Sequence, residues 1–244
     1  MAFEDIQPFI NSASEQSGTP EALILGCAIA ESNLYPFAER WGTATNDAKA
    51  AIRDGEWDTL QGIIDSEWPD ISFGYSQCIV LFHYEGNHEA TVDNCISVRN
   101  RVFADPARDI LEIGKRLRNH MDLASYLYSE GLLPHQVFDD VEPIWLAALI
   151  RYNAGRIPVE NDPWWDRWAG NVANYKAAFV SARELLGGNG LEDLRNLVGY
   201  LQGDVAAAIR GPIESTMKKL KKGSANWNRL QSALHAVETL ERGG

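Results

Sequence analysis

The sequence predicts a mainly α-helical protein, and two features of its 244 residues support that fold class. A residue that commonly caps helices stands before proline at Thr19-Pro20, Asp105-Pro106 and Asp162-Pro163, which is typical of helix starts. Strict alternation of apolar and polar residues, which would indicate strands, is scarce. Only residues 71–81 favour a short strand or a minimal β-hairpin.

Apolar residues recur at helical spacing in four long segments. We expect helices over residues 21–34, 105–131, 143–152 and 164–186. In the second of these helices, Ile110, Ile113, Leu117, Met121, Ala124 and Tyr128 line one face, which predicts that this face is buried.

The glycine-rich segment Gly187-Gly188-Asn189-Gly190 predicts a linker between two parts of the chain. Residues 1–186 are long enough for one sizeable domain. Residues 190–244 predict a three-helix appendix with little core of its own. We therefore expect the appendix to pack on the main domain, on a partner protein or on copies of itself.

Charge and hydropathy exclude several classes of partner. The net charge of −12 is carried by residues 1–186, because residues 187–244 hold 8 Lys and Arg against 6 Asp and Glu. So acidic a region is unsuited to nucleic acid, whose phosphates need clustered cations. No apolar run is long enough to predict a membrane span. The first five residues lack the basic and apolar parts of a secretory signal.

Cysteine and histidine spacing predicts no metal site and no cofactor. Cys27, Cys78 and Cys95 cannot form a complete disulfide framework and fit no zinc pattern, so we expect reduced, buried thiols. His83 and His88 lack the helical spacing of zinc proteases, and we interpret their segment as a solvated loop.

Glu31 is the main candidate for catalysis. It ends a segment, residues 22–30, that is apolar on every face and therefore predicts a buried helix. Burial beside such a helix would raise the pKa of a carboxyl group, and a protonated carboxyl near neutral pH can cleave a glycosidic bond as a general acid. The alternative is that Glu31 turns to solvent where the buried helix ends.

Segments that follow one another in order resemble soluble lytic transglycosylases and goose-type lysozymes of the lysozyme-like superfamily. Residues 20–32 resemble that family's helix ending in Glu-Ser, and residues 72–77 resemble its Gly-Leu-Met-Gln segment, with Tyr75 and Ser76 departing. Three further segments resemble, in turn, the family's Asp-Pro-x-x-Asn-Ile, Ala-Tyr-Asn-Ala-Gly and last-helix motifs: residues 103–110, 148–155 and 171–176.

The resemblance implies a lysozyme-like fold that cleaves peptidoglycan between N-acetylmuramic acid and N-acetylglucosamine. Glu31 would protonate the leaving oxygen, and Ser32 would orient Glu31 or the substrate. The glycan strand would bind in a cleft that the resemblance lines with Gly74, Tyr75, Gln77, Tyr152 and Asn153.

A second carboxylate distinguishes the two reactions of these families. Lytic transglycosylases use one acid and form a 1,6-anhydro product, whereas goose-type lysozymes activate water with a second carboxylate. Residues 43–71 form an acidic insertion ending in Trp68-Pro69-Asp70, which resembles a Trp-Gly-Asp segment of goose-type lysozymes. Asp70 is therefore a candidate base. The alternative is that Asp70 caps a turn and its acidic neighbours form a solvated helix face.

Two other functions stay open at this point. The chain could be a non-catalytic peptidoglycan-binding or phage structural module, or a chitinase-like glycosidase acting on unsubstituted N-acetylglucosamine polymers. An enzyme of the proposed kind acts on the cell wall, as a phage lysin, a virion component or a protein exported by another route.

Overall fold

The computed structural model describes residues 3–85, 88–133, 142–155 and 169–187, together with Lys218 and Lys222. These residues form eight α-helices and three short strands, so the prediction of a mainly α fold is confirmed. The described helices include none that is long and apolar enough to cross a membrane. Apart from the two lysines, the appendix predicted at residues 190–244 lies outside the described residues, as does the helix start predicted at residues 162–163.

The described elements follow the chain in a simple order. The α-helices are α1 Phe3–Ser17, α2 Glu21–Ser32, α3 Thr45–Asp54, α4 Trp57–Glu67, α5 Val92–Ala104, α6 Pro106–Ser129, α7 Glu142–Ala154 and α8 Ala169–Leu185. The strands are β1 Glu39–Trp41, β2 Ile71–Phe73 and β3 Cys78–Ile79, and a 3-10 helix follows at Val80–Glu85.

The chain divides into two compact units. The first comprises Met1–Arg116 and Asn174–Gly188, and the second comprises Leu117–Ala173 and Asn189–Gly244. Helix α8 ends at Leu185, and Gly187 follows with a φ of 81°, which agrees with the helix end predicted before the glycine run. The division into residues 1–186 and 190–244 stays a prediction.

Helix α2 is buried because its sequence is almost wholly apolar. The prediction that Thr19 caps it is wrong, since Pro20 holds the cap position and no side chain caps the helix. The buried Thr19 hydroxyl instead donates to the carbonyl of Gly114 in α6, at 2.8 Å. The helix ends at Asn33, whose left-handed φ of 50° lets its N–H bond back to the last turn.

Helix α6 begins as predicted. The Asp105 carboxylate accepts the backbone N–H of Arg108 at 3.0 Å, and Pro106 is the first helical residue, where it loses no hydrogen bond. The face predicted to be buried is fully buried at Ile110, Ile113, Leu117, Met121 and Ala124, and Tyr128 is partly exposed.

The sheet is larger than the predicted hairpin. Strands β2 and β3 form that hairpin, and β1 adds a third antiparallel strand, with Glu39 opposite Phe73 and Trp41 opposite Ile71. The sequence does not reveal β1 because three residues are too few to show an alternating pattern.

The acidic insertion is a helical hairpin, α3 and α4, that packs with the sheet and α5. Its apolar residues join one buried core with members of those elements: Trp41, Ala48, Ala51, Leu60, Ile64, Ile71, Phe73, Val80, Cys95, Val98 and Val102. Its acidic residues are exposed at six positions, Asp47, Asp54, Glu56, Asp58, Asp65 and Asp70. These six acidic residues therefore face solvent.

The three cysteines are free and buried, as predicted. Burial raises the pKa of Cys78 and of Cys95 to about 12, which keeps both thiols protonated and unreactive near neutral pH.

Candidate active site

Glu31 lies in the last turn of α2 and is partly buried. Cys27, four residues earlier, shares its helix face and is fully buried. Burial raises the pKa of the Cys27 thiol well above its usual value, and the negative charge of Glu31 raises it further. The Glu31 carboxylate is therefore close to the buried end of this face and does not turn wholly to solvent.

Helix α8 holds the Glu31 side chain. The two helices approach closely at Gly26, where a Cβ atom would lie only 3.2 Å from the Cα atom of Phe179. One turn before Phe179, the buried Tyr175 donates its hydroxyl to Oε1 of Glu31 at 2.5 Å. Residues 144 positions apart in the sequence thus meet at the carboxylate.

The Ser32 side chain forms a hydrogen bond within its own helix. Its hydroxyl donates to the carbonyl of Ala28 in its own helix, at 2.9 Å. This bond stabilises the end of α2, and the predicted role of Ser32 in orienting Glu31 or the substrate stays a prediction.

Gly74 is required by the backbone. Its φ of 76° is left-handed, and a Cβ atom there would lie 2.3 Å from Oδ2 of Asp109 and 2.3 Å from Cγ1 of Val102. Only glycine fits this turn, so its place in the motif has a structural cause.

A buried carboxylate, Asp109, fixes the turn that follows Gly74. Its Oδ2 accepts the backbone N–H groups of Tyr75 and Ser76 at 2.6 and 3.2 Å, and its Oδ1 accepts the Ser76 hydroxyl at 2.6 Å. Asp109 is fully buried in the first turn of α6, where the helix dipole favours a negative charge. Asp109 lies in the segment that carries the resemblance, at the position of the family's Asn, yet the sequence assigns it no role.

His83 completes this buried cluster. Its Nε2 lies 3.5 Å from Oδ1 of Asp109 and 3.5 Å from the Ser76 hydroxyl. The prediction of a solvated loop is wrong for His83, because the 3-10 helix packs its side chain inside the protein. The described residues include no group of His, Cys, Asp and Glu that could hold a metal ion.

The sequence predicts that Tyr75 contacts the substrate, but its side chain is fully buried. Burial, with the charge of Asp109, raises its pKa to about 12. The ring therefore offers no solvent-facing surface to a sugar, and the geometry does not support stacking by Tyr75.

The Gln77 side chain connects the turn by hydrogen bonds to strand β2 and to the segment before β1. Its Oε1 accepts the Ser72 hydroxyl at 3.0 Å, and its Nε2 donates to the carbonyls of Gly74 and Ala38 at 2.9 and 3.3 Å. Ala38 follows Glu31 by only seven residues, so Gln77 connects this turn to the segment that leaves α2. Its contact with a substrate stays a prediction.

Asp70 lies at the other end of β2 from Gly74. At roughly 3.3 Å per residue, the strand separates them by roughly 13 Å. Its carboxylate is exposed and lies 3.4 Å from Nη2 of Arg40, and its carbonyl accepts the N–H of Gly42 at 2.8 Å. The turn-forming alternative is consistent with these contacts, and the role of Asp70 as a base stays a prediction.

Tyr152 and Asn153 belong to α7 in the second unit. The Tyr152 ring packs edge-on near His120, with centroids 6.4 Å apart, and Asn153 is exposed. Both substrate-binding roles stay predictions.

A cavity of about 440 Å³ lies between α1 and the first half of α6. It contains no residue predicted to act on a substrate. Two of its lining residues, the exposed Gln16 and Ser12, are hydrogen-bonded to each other. The cavity is lined by Phe9, Ser12, Ala13, Gln16, Asp105, Ala107, Arg108, Leu111, Glu112 and Lys115.

Comparison of the sequence with protein-family models gave no match, and comparisons with curated proteins and with solved structures gave none either. The family resemblance therefore depends on the motifs themselves and on the geometry of the residues that carry them.

Proposed function

We propose that the protein is a peptidoglycan glycosidase in which Glu31 is the general acid. The observation that carries the proposal is the partly buried Glu31 carboxylate at the end of a buried helix, held through Oε1 by Tyr175. A general acid must be fixed toward the bond it protonates, and a hydrogen bond from a buried hydroxyl restricts its rotation.

Contacts between the motif segments support the same proposal. Glu31 meets Tyr175 of the last-helix segment, and the turn after Gly74 meets Asp109 of the Asp-Pro segment. Four of the five segments that resemble the family thus meet in two pairs within the first unit, which supports the proposal of a lysozyme-like fold.

We further propose that Glu31 acts alone, as in a lytic transglycosylase. Its proton passes to the glycosidic oxygen as the bond from that oxygen to the muramic acid anomeric carbon breaks. The 6-hydroxyl oxygen of the same sugar then bonds to that carbon and returns its proton to Glu31. No second carboxylate is needed, which agrees with the exposed ion pair of Asp70 at the far end of β2.

The mass of fragments released from purified sacculi tests this function, with Glu31→Gln as the control. We expect fragments one water lighter than hydrolysis products from the wild type. Reducing-end fragments would instead assign hydrolysis and make Asp70 the candidate base.

Release from chitin oligomers but not from sacculi would point to a chitinase. Binding to sacculi with no release by the wild type would favour the non-catalytic module.

Tyr175→Phe is expected to lower kcat about 10- to 150-fold and leave KM nearly unchanged. The change removes a hydroxyl hydrogen bond to a charged group, of about 1.5–3 kcal/mol, without removing the ring. The basic limb of the pH–rate profile is expected to move to higher pH, because the carboxylate form loses a donor that favours it.

Steady-state kinetics across pH measure this effect. Tyr128→Phe, a partly exposed tyrosine of α6, is the matched control. An unchanged kcat and pH profile in Tyr175→Phe would show that the contact with Glu31 has no role in the reaction.

A further inference from the structure

Two exposed aromatic rings follow the helix that carries Glu31. Tyr35 is 55% exposed and Phe37 is 48% exposed, although large apolar side chains are usually covered. Their ring centroids lie 6.0 Å apart at an interplanar angle of 79°, so the two rings form a corner. Neighbouring exposed aromatic rings commonly mark a binding surface.

The corner is supported from behind by a row of aromatic rings. Phe37 packs edge-on against Phe103 at 5.4 Å, and Phe103 packs against Phe73 at 6.2 Å in the core. The guanidinium of Arg99 lies 4.6 Å from the Phe103 ring and is itself fixed by two hydrogen bonds to Glu39. Phe37 is therefore held in place before any ligand arrives.

The backbone that carries the corner is also constrained. Asn33 and Leu34 have left-handed φ angles of 50° and 59°, which turn the chain sharply away from α2. Two hydrogen bonds then close the segment, from the N–H of Tyr35 to the carbonyl of Ser32 at 3.0 Å and from the N–H of Ala38 to the carbonyl of Tyr35 at 3.2 Å. Little conformational entropy is left for a ligand to remove.

We propose that Tyr35 and Phe37 form a sugar-stacking subsite beside Glu31, which binds a pyranose ring of the glycan strand. The inference rests on the proposed function. The C–H face of a pyranose is apolar and can pack on one ring of the corner while the other ring bounds its edge. Tyr35 follows Glu31 by only four residues, so their Cα atoms are at most about 14 Å apart, within reach of one glycan strand.

Charge favours the sugar over the anionic groups of the polymer. Residues 1–186 carry the chain's net negative charge, so long-range electrostatic attraction does not favour an anionic strand. The cation behind Phe103, Arg99, is engaged by Glu39. Stacking on neutral rings does not depend on charge, so the acidic surface does not oppose it.

Binding of peptide-free glycan strands tests the subsite. In a Glu31→Gln background, which prevents turnover, Tyr35→Ala with Phe37→Ala is expected to weaken binding about tenfold, as two lost aromatic contacts imply. In the active protein, the same pair is expected to raise KM and change kcat little. Tyr35→Ala alone removes no ring from the supporting row, so it tests the subsite without loosening the core.

Trp57→Ala is the matched control, because Trp57 is 49% exposed and lies outside the aromatic row. An equal loss of affinity in Trp57→Ala would overturn the proposal, since it would mean unspecific adsorption. So would unchanged glycan affinity in the Tyr35 and Phe37 variants, or an effect on free stem peptides instead of on glycan strands.

The two proposals fail in different ways. A wild type that cleaves sacculi, with Tyr35 and Phe37 variants that bind and cleave equally well, overturns the subsite alone. A wild type that binds glycan through these rings but releases no fragments overturns the enzymatic proposal and supports the subsite. A chain that neither binds nor cleaves overturns both.

Discussion

Glu31→Gln is expected to lower the rate of fragment release by about 10³-fold or more. A general acid contributes roughly 10²–10⁴-fold, and an amide of the same shape cannot supply the proton. The substitution keeps an oxygen that accepts the Tyr175 hydroxyl, so the fold should tolerate it. Initial rates of release from sacculi, with urea unfolding of both proteins, measure the two effects separately.

Glu15→Gln is the matched control, because Glu15 is an exposed residue of α1 with the same side chain. We expect its rate to equal that of the wild type. A Glu31→Gln protein that kept more than about a tenth of the wild-type rate would exclude Glu31 as the general acid. An equal fall in Asp70→Asn would assign the hydrolytic mechanism instead.

Local rules explain which elements of the fold the sequence reveals. Asp105 and Pro106 mark the start of α6 correctly because the cap and its acceptor lie within one turn. Thr19 and Pro20 show the same local pattern, but the Thr19 hydroxyl bonds to Gly114, 95 residues away. A pattern of neighbouring residues contains no information about such a distant partner, so the same rule succeeds once and fails once.

Some residues of the candidate site can be found from local sequence, and others only from the fold. An apolar run that ends in a carboxylate is visible in the sequence, and it directs attention to Glu31. Its partner Tyr175 is one tyrosine among eight, and only the close approach of α8 at Gly26 selects it. The exposure of Tyr35 and Phe37 depends on how the chain turns after Asn33, which composition cannot show. His83 is similar, since its side chain is buried beside Asp109 of α6, which the sequence near His83 does not reveal.

Asp109→Ala is expected to destabilise the protein by about 3–5 kcal/mol, because it leaves buried donors without their acceptor. Two backbone N–H groups and the Ser76 hydroxyl bond to this one carboxylate. Their loss would also release the turn after Gly74, so any active fraction should lose rate as well. The midpoint of urea unfolding measures the change, and Asp65→Ala, at an exposed acid of α4, is the control.

Asp109→Asn separates shape from charge at the same position. An asparagine oxygen can accept both backbone N–H groups, and its amide can donate to the Ser76 hydroxyl, which is able to rotate. We therefore expect a smaller loss, about 1–2 kcal/mol, from weaker uncharged hydrogen bonds. If Ala and Asn were equally destabilising, the negative charge, with its neighbour His83, would be what holds the turn. If neither differed from the Asp65→Ala control, the buried cluster would have no structural importance, and the support that it gives to the Gly74 turn would have to come from the packing of Tyr75.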